Sequence, residues 1–129
     1  MNKIIVEVSI GELLDKISIL EIKQEKIKDP EKLKFISNEY SILKNQLENN
    51  VKKDDELDKL IKSLKEVNGK LWVIEDDKRK CEKAKNFGEK FVKLSRDVHF
   101  LNDDRAKIKL KINNHTGSTI REVKEYTSY

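Results

Sequence analysis

Apolar residues return every three or four positions along almost the whole chain, and this regularity decides what the chain can fold into. Ile10, Leu13, Ile17, Leu20 and Ile27 make one row, and Leu33, Ile36, Tyr40, Leu43 and Leu47 a second. Leu57, Leu60, Leu64, Val67, Leu71 and Ile74 continue it, and Phe91, Leu94, Val98, Leu101, Ile108 and Ile112 close it. Such spacing lays each row along one face of an α-helix. Four Gly and one Pro in 129 residues leave little material for tight turns, while 40% charged residues suit long solvated helix backs. The expected fold is therefore all-α, an antiparallel bundle of long, coiled-coil-like helices. It should form a single domain over residues 1–129, with an extended segment at 1–9, the bundle at 10–114 and a tail at 115–129.

Local signals place the breaks. Ile4 to Val8 is β-branched enough for a short N-terminal strand, which would need a pairing edge in the tail or in a second subunit. Ser9 with Glu12 three positions on predicts a reciprocal capping box, so a first helix should start at Ile10 and run to about Lys28. Asp29 followed by Pro30 predicts a break and a fresh helix start. The second helix should end near Asn49 and Asn50. Asp54, Asp55, Glu56 and Asp58 complement the exposed N–H groups of a third helix without calling for a metal. Gly69 lies where the apolar row keeps its phase, so the helix should continue through it. The phase slips at Gly88, which predicts a hairpin that brings Arg105 near Leu71 and Trp72. After Thr116 the expectation is a turn, a short helical piece capped by Ser118 or Thr119, and an extended end.

Composition also excludes function classes. The net charge of +4 is a small difference between 28 basic and 24 acidic side chains mixed along the chain, not the clustered basic patch that binds a phosphate backbone, so nucleic acid is disfavoured. No signal-peptide run and no membrane span stand out, and the single Cys81 sits at an apolar helix position as a small core residue. These point to a cytoplasmic protein with no membrane partner. No cofactor or metal is implied. Asp76 with Asp77, and Asp103 with Asp104, are adjacent and point about 100° apart, whereas helical metal ligands need spacings of three or four. His99 and His115 lack a partner at convincing spacing and read as surface or helix-end residues.

The densest chemistry lies in two segments, LWVIEDDKRKCE from Leu71 and RDVHFLNDDR from Arg96. With only four Arg among 28 basic residues, an Arg marks a position where a planar, bidentate fork is of use. Arg79 can reach Glu75 and Glu82 on its own helix, and Arg105 lies in line with the apolar row, where an unpaired charge would be costly. The expected partner of Arg105 is Glu75 across the hairpin. A salt-bridge layer that sets helix register is the plainer reading. A ligand site built from Trp72, Glu75, Arg79, Asn102 and Arg105 is the sharper one, and Arg105, Lys107, Lys109 and Lys111 add a local basic run for an anion.

Gly11, Glu12, Leu13, Asp15 and Lys16, then Leu71, Trp72, Ile74, Glu75 and Asp76, then Asn102, Asp103, Arg105 and Ala106 form three segments whose combination resembles a family of short bacterial proteins classed only as a domain of unknown function. The resemblance covers nearly the whole chain and implies that these polar residues act as a group, but it implies no activity and no catalytic role. The function expected is a non-catalytic helical scaffold or partner-binding protein, with a homodimer the expected assembly because four amphipathic helices leave more apolar stripe than one thin bundle buries. The alternative is a small-molecule or anionic-ligand binder, enzymatic or not, with its site between the two long helices.

Overall fold

The computed structural model describes residues 2–129 and is all-α. Helix α1 spans Ile10–Lys26, α2 Pro30–Asn50, α3 Asp55–Lys83 and α4 Glu89–Thr116. The first three helices begin where side chains capture free backbone N–H groups. Ser9 Oγ accepts from Glu12 N–H, Asp29 Oδ1 from Glu31 N–H with Pro30 in the first turn, and Asp54 Oδ1 from Leu57 N–H. Gly69 lies inside α3, as the unbroken apolar phase requires.

α3 and α4 form an antiparallel hairpin, and α1 packs against each of the other three helices. Leu14, Ile17, Leu47, Leu57, Leu64 and Ile112 make the buried core, which therefore takes residues from all four helices. It lies at the end of the hairpin remote from its turn and takes nothing from residues 65–107. The half of the hairpin nearer the turn is held by α3–α4 packing, with Cys81 buried between them.

The hairpin turn departs from expectation in detail. Asn86 N–H donates to Cys81 O and Lys85 N–H to Glu82 O, the paired bonds of a Schellman stop. The residue in the left-handed region is Lys85, at φ 53°, while Gly88 at φ −81° precedes α4 as its cap. At the far end of α4, Gly117 takes the left-handed conformation at φ 69°.

Two expected elements are absent. Among the described residues Ile4 to Val8 form no strand, since no sheet edge faces them, and Ile4 stays 90% exposed. Nor does the tail turn helical after Thr116. Ser118, which was to cap that piece, instead accepts from Ile10 N–H and donates to Ile120 O. α1 also stops two residues short of Lys28, with Ile27 extended. No helix among the described residues is long and apolar enough to cross a membrane.

At Gly11 the backbones of α1 and α4 come close together. A Cβ there would lie 2.7 Å from Lys109 O and 2.9 Å from Asn113 Oδ1. Gly11→Ala should therefore destabilise the protein by about 1–3 kcal/mol despite Ala's better helix propensity. Lys85→Gly should stabilise by about 1 kcal/mol by removing a side chain from the left-handed region. Urea denaturation of both variants tests the pair.

Candidate functional site

The polar residues gather where α1 crosses α3 and α4, and they do so because the start of α1 is buried. A helix leaves its first N–H groups unpaired. Here Ile10 N–H donates to Ser118 Oγ at 3.2 Å, part-buried, and Gly11 N–H to Asn113 Oδ1 at 2.7 Å, fully buried. The capping box is only half made. Glu12 N–H uses Ser9, but the Glu12 carboxylate turns away to accept from Lys109 Nζ at 2.7 Å.

One turn on, Asp15 is 1% exposed. Its Oδ1 accepts from Arg105 Nε at 2.9 Å and from Asn68 Nδ2 at 2.8 Å, and its Oδ2 accepts from Arg105 Nη2. Lys109 Nζ stands 4.0 Å from Oδ2. Asn68 Nδ2 also donates to Ser18 Oγ at 2.8 Å, and that hydroxyl donates to Asp15 O at 2.8 Å. Lys109 completes its set with Glu122 from the tail, at 3.2 Å. Among the described residues no buried side-chain polar atom lacks a partner.

Burial alone would push the Asp15 carboxyl up. The hydrogen bonds from Arg105 and Asn68, with the charges of Arg105 and Lys109, outweigh it and hold Asp15 below its ordinary value. Burial likewise opposes the charge on Lys109, but Glu12, Asp15 and Glu122 raise its pKa above the usual lysine value.

The expected Arg105–Glu75 pair does not form; Arg105 belongs to Asp15. The reason is desolvation. Glu75 is exposed and hydrated, whereas Asp15 has lost its water and competes far harder for a two-donor guanidinium. Arg79 makes no ion pair with Glu75 or Glu82 within 4.0 Å, so that expectation is also corrected. Asn102, one turn before Arg105, accepts from its Nη1 at 3.4 Å and holds the guanidinium from behind.

Trp72, Glu75, Arg79 and Arg105 nevertheless share one feature, a groove of about 320 Å³ at the edge of the junction. Ile19 and Ile22 of α1 line it together with Asn68, Leu71 and Asp76 of α3. Asn102 stands outside it. Of the two histidines, His115 Nε2 lies 2.9 Å from Asp54 Oδ2 and joins the end of α4 to the start of α3, while His99 packs against Phe100 and Tyr129 at the surface.

Asp15, Ser18, Asn68, Lys109 and Asn113 carry the junction; of these the sequence offers only Lys109, as part of a basic run, and Asp15, through the resemblance, and it offers neither as a partner of Arg105. Their trace in the sequence is a polar residue at a seam position. Asn68 sits between Leu64 and Leu71, and Lys109 and Asn113 continue the row of Arg105 at intervals of four.

Residues 4–129 match the family of unknown function DUF6165, and the chain belongs to it. No curated protein and no solved structure matches the chain. The three segments that carried the resemblance meet at this junction: Gly11, Glu12 and Asp15 from the first, Leu71 and Trp72 from the second, Asn102 and Arg105 from the third.

Arg105→Met strands a buried carboxylate and should cost about 2–4 kcal/mol, the lower end allowing for the third of the Arg side chain that solvent reaches. Adding Asp15→Asn should recover part of that loss in the double variant, as thermal unfolding will register. The pH dependence has a definite sign. Because the folded value for Asp15 lies below the unfolded one, its contribution is present above the usual carboxylate range and lost as pH falls through the depressed value. Melting temperature should drop below about pH 4, and Asp15→Asn should remove part of that slope.

Proposed function

We propose that this member of the family is a non-catalytic helical scaffold, a single helical unit over residues 1–129, that binds a protein partner in the cytoplasm and that the partner is a second copy of the chain. The observation that carries the reading is an apolar face of the hairpin that α1 and α2 leave uncovered. Val73, Ile74, Phe100 and Leu101 line a shallow groove of about 710 Å³ between α3 and α4, with Val73 49% exposed and Phe100 38% exposed. Exposed apolar surface concentrated in this way is characteristic of an interaction site.

A second copy suits the groove because its rim is self-complementary. Glu66 stands with Lys70 beside the same apolar strip, while Asp97 on its other edge is paired with Lys93 at 2.7 Å. Two-fold pairing sets Lys70 of each copy against Glu66 of the other, and joins two hairpins into a four-helix, coiled-coil-like bundle. The buried junction favours scaffolding over chemistry, since Asp15, Arg105 and Lys109 are each engaged by another side chain of the fold. The mixed charges of the hairpin favour a protein partner over nucleic acid. A reduced, buried Cys81 suits the cytoplasm.

Size-exclusion chromatography with light scattering tests the assembly. Twice the chain mass is expected, falling to the single-chain mass in Val73→Glu and in Phe100→Glu with helicity retained. A wild-type chain that stays at single-chain mass up to about 100 μM, a concentration at which even a micromolar dimer is populated, overturns the proposal.

A further inference from the structure

The fold accounts for Gly11, Asp15, Asn68, Arg105 and Lys109, but it leaves Trp72, Glu75 and Arg79 without a structural task. Trp72 is the only Trp in the chain and is half-buried, lining the 320 Å³ groove. Glu75 and Arg79 are exposed and one helical turn apart, a spacing at which opposite charges ordinarily pair. Yet neither takes part in an ion pair or a side-chain hydrogen bond among the described residues, although both border the same groove. Their neighbour Asp76 differs, because Lys80 already neutralises it at 3.3 Å.

From this unpaired acid and base in a groove also lined by Ile19, Ile22, Leu71 and Trp72, we infer that the groove is a binding site for a small zwitterion, an α-amino acid with an apolar side chain. The ammonium group meets the Glu75 carboxylate and the carboxylate meets the Arg79 guanidinium. Arg105 supports the same carboxylate, since Asp15 and Asn102 engage three of its five N–H donors. The side chain lies on Trp72, against Ile19 and Ile22. Volume agrees with so small a ligand, because ligand cavities start at about 300 Å³. A plain anion is disfavoured by Glu75 and a plain cation by the two guanidinium groups.

This site is independent of the self-association surface. No residue lines both grooves, and residues 66, 70 and 73 of the apolar groove point on average about 160° around α3 from residues 68, 72, 75 and 79 of the Trp72 groove, at 100° per residue. Loss of the dimer would leave this inference standing, and the reverse holds too.

The single Trp makes the test direct. Full-length protein is titrated with L-leucine and L-phenylalanine while Trp72 emission is followed, and with 4-methylpentanoate and 3-methylbutylamine as half-ligands that carry one charge each. The expected result is a saturable emission change with the amino acids and none with the half-ligands. Glu75→Gln and Arg79→Met should each weaken binding by about tenfold or more while leaving the melting temperature in place, since neither residue serves the fold. No saturable change and no ligand-induced rise in melting temperature up to about 10 mM amino acid would overturn the site. Equal binding of either half-ligand, or unaltered binding by both variants, would overturn the zwitterion assignment.

Discussion

A carboxylate with no access to water is the constraint on which the remainder of this structure depends. Asp15 is charged, buried, and carried on the shortest of the four helices. An ion in that position is tolerable only if other groups replace its hydration, and those groups must come from outside its own helix. Arg105 supplies two bonds from α4 and Asn68 one from α3. α1 cannot slide or rotate on the hairpin without stranding Asp15, so one carboxylate fixes the register of three helices. The apolar core could not do so alone, because leucine rows tolerate alternative alignments.

The same junction shows how a helix end can be buried at little cost. Ser118 and Asn113 satisfy the first N–H groups of α1, and Gly11 permits the approach by presenting no side chain to Lys109 O. Glu12 and Glu122 then flank Lys109, so that the cation nearest the helix start is itself neutralised. A positive charge by the N-terminus of a helix would otherwise oppose its dipole.

Sequence reasoning reached what is local and missed what is remote. Four apolar rows, the caps at Ser9, Asp29 and Asp54, the helix start at Pro30 and the continuity through Gly69 follow from residues within a few positions of one another, and these place nearly every helix boundary. The antiparallel hairpin follows from a single phase slip, and it brings Arg105 to the level of Trp72 as counting from Gly88 predicts. The partner of Arg105 does not follow in this way. Periodicity says which face of α4 is buried but not which helix lies over it, so the nearest carboxylate across the hairpin was the only one it could offer. Glu75 instead faces solvent, and Asp15 sits ninety positions away. The strand at Ile4 and the helical tail failed for a related reason: each needed a partner, an edge or a free hydroxyl, that the folded chain had not left available.

The bonds that hold the beginning of α1 have a consequence for the order of events in folding. They span 90 to 108 positions along the chain, among the longest loops it could close. The α3–α4 hairpin is closed by a short local turn and forms early, whereas α1 meets its acceptors only once residues 105–118 are in place. Until then α1 has only α2, its neighbour across a short loop, to pack on, and Asp15 and the first N–H groups of α1 remain in solvent. Docking of the α1–α2 pair on the α3–α4 hairpin is thus the late step that joins two local units into a cooperative fold. A chain that waits in this way has an exposed amphipathic segment for chaperones, or for the hairpin of another copy, to engage first.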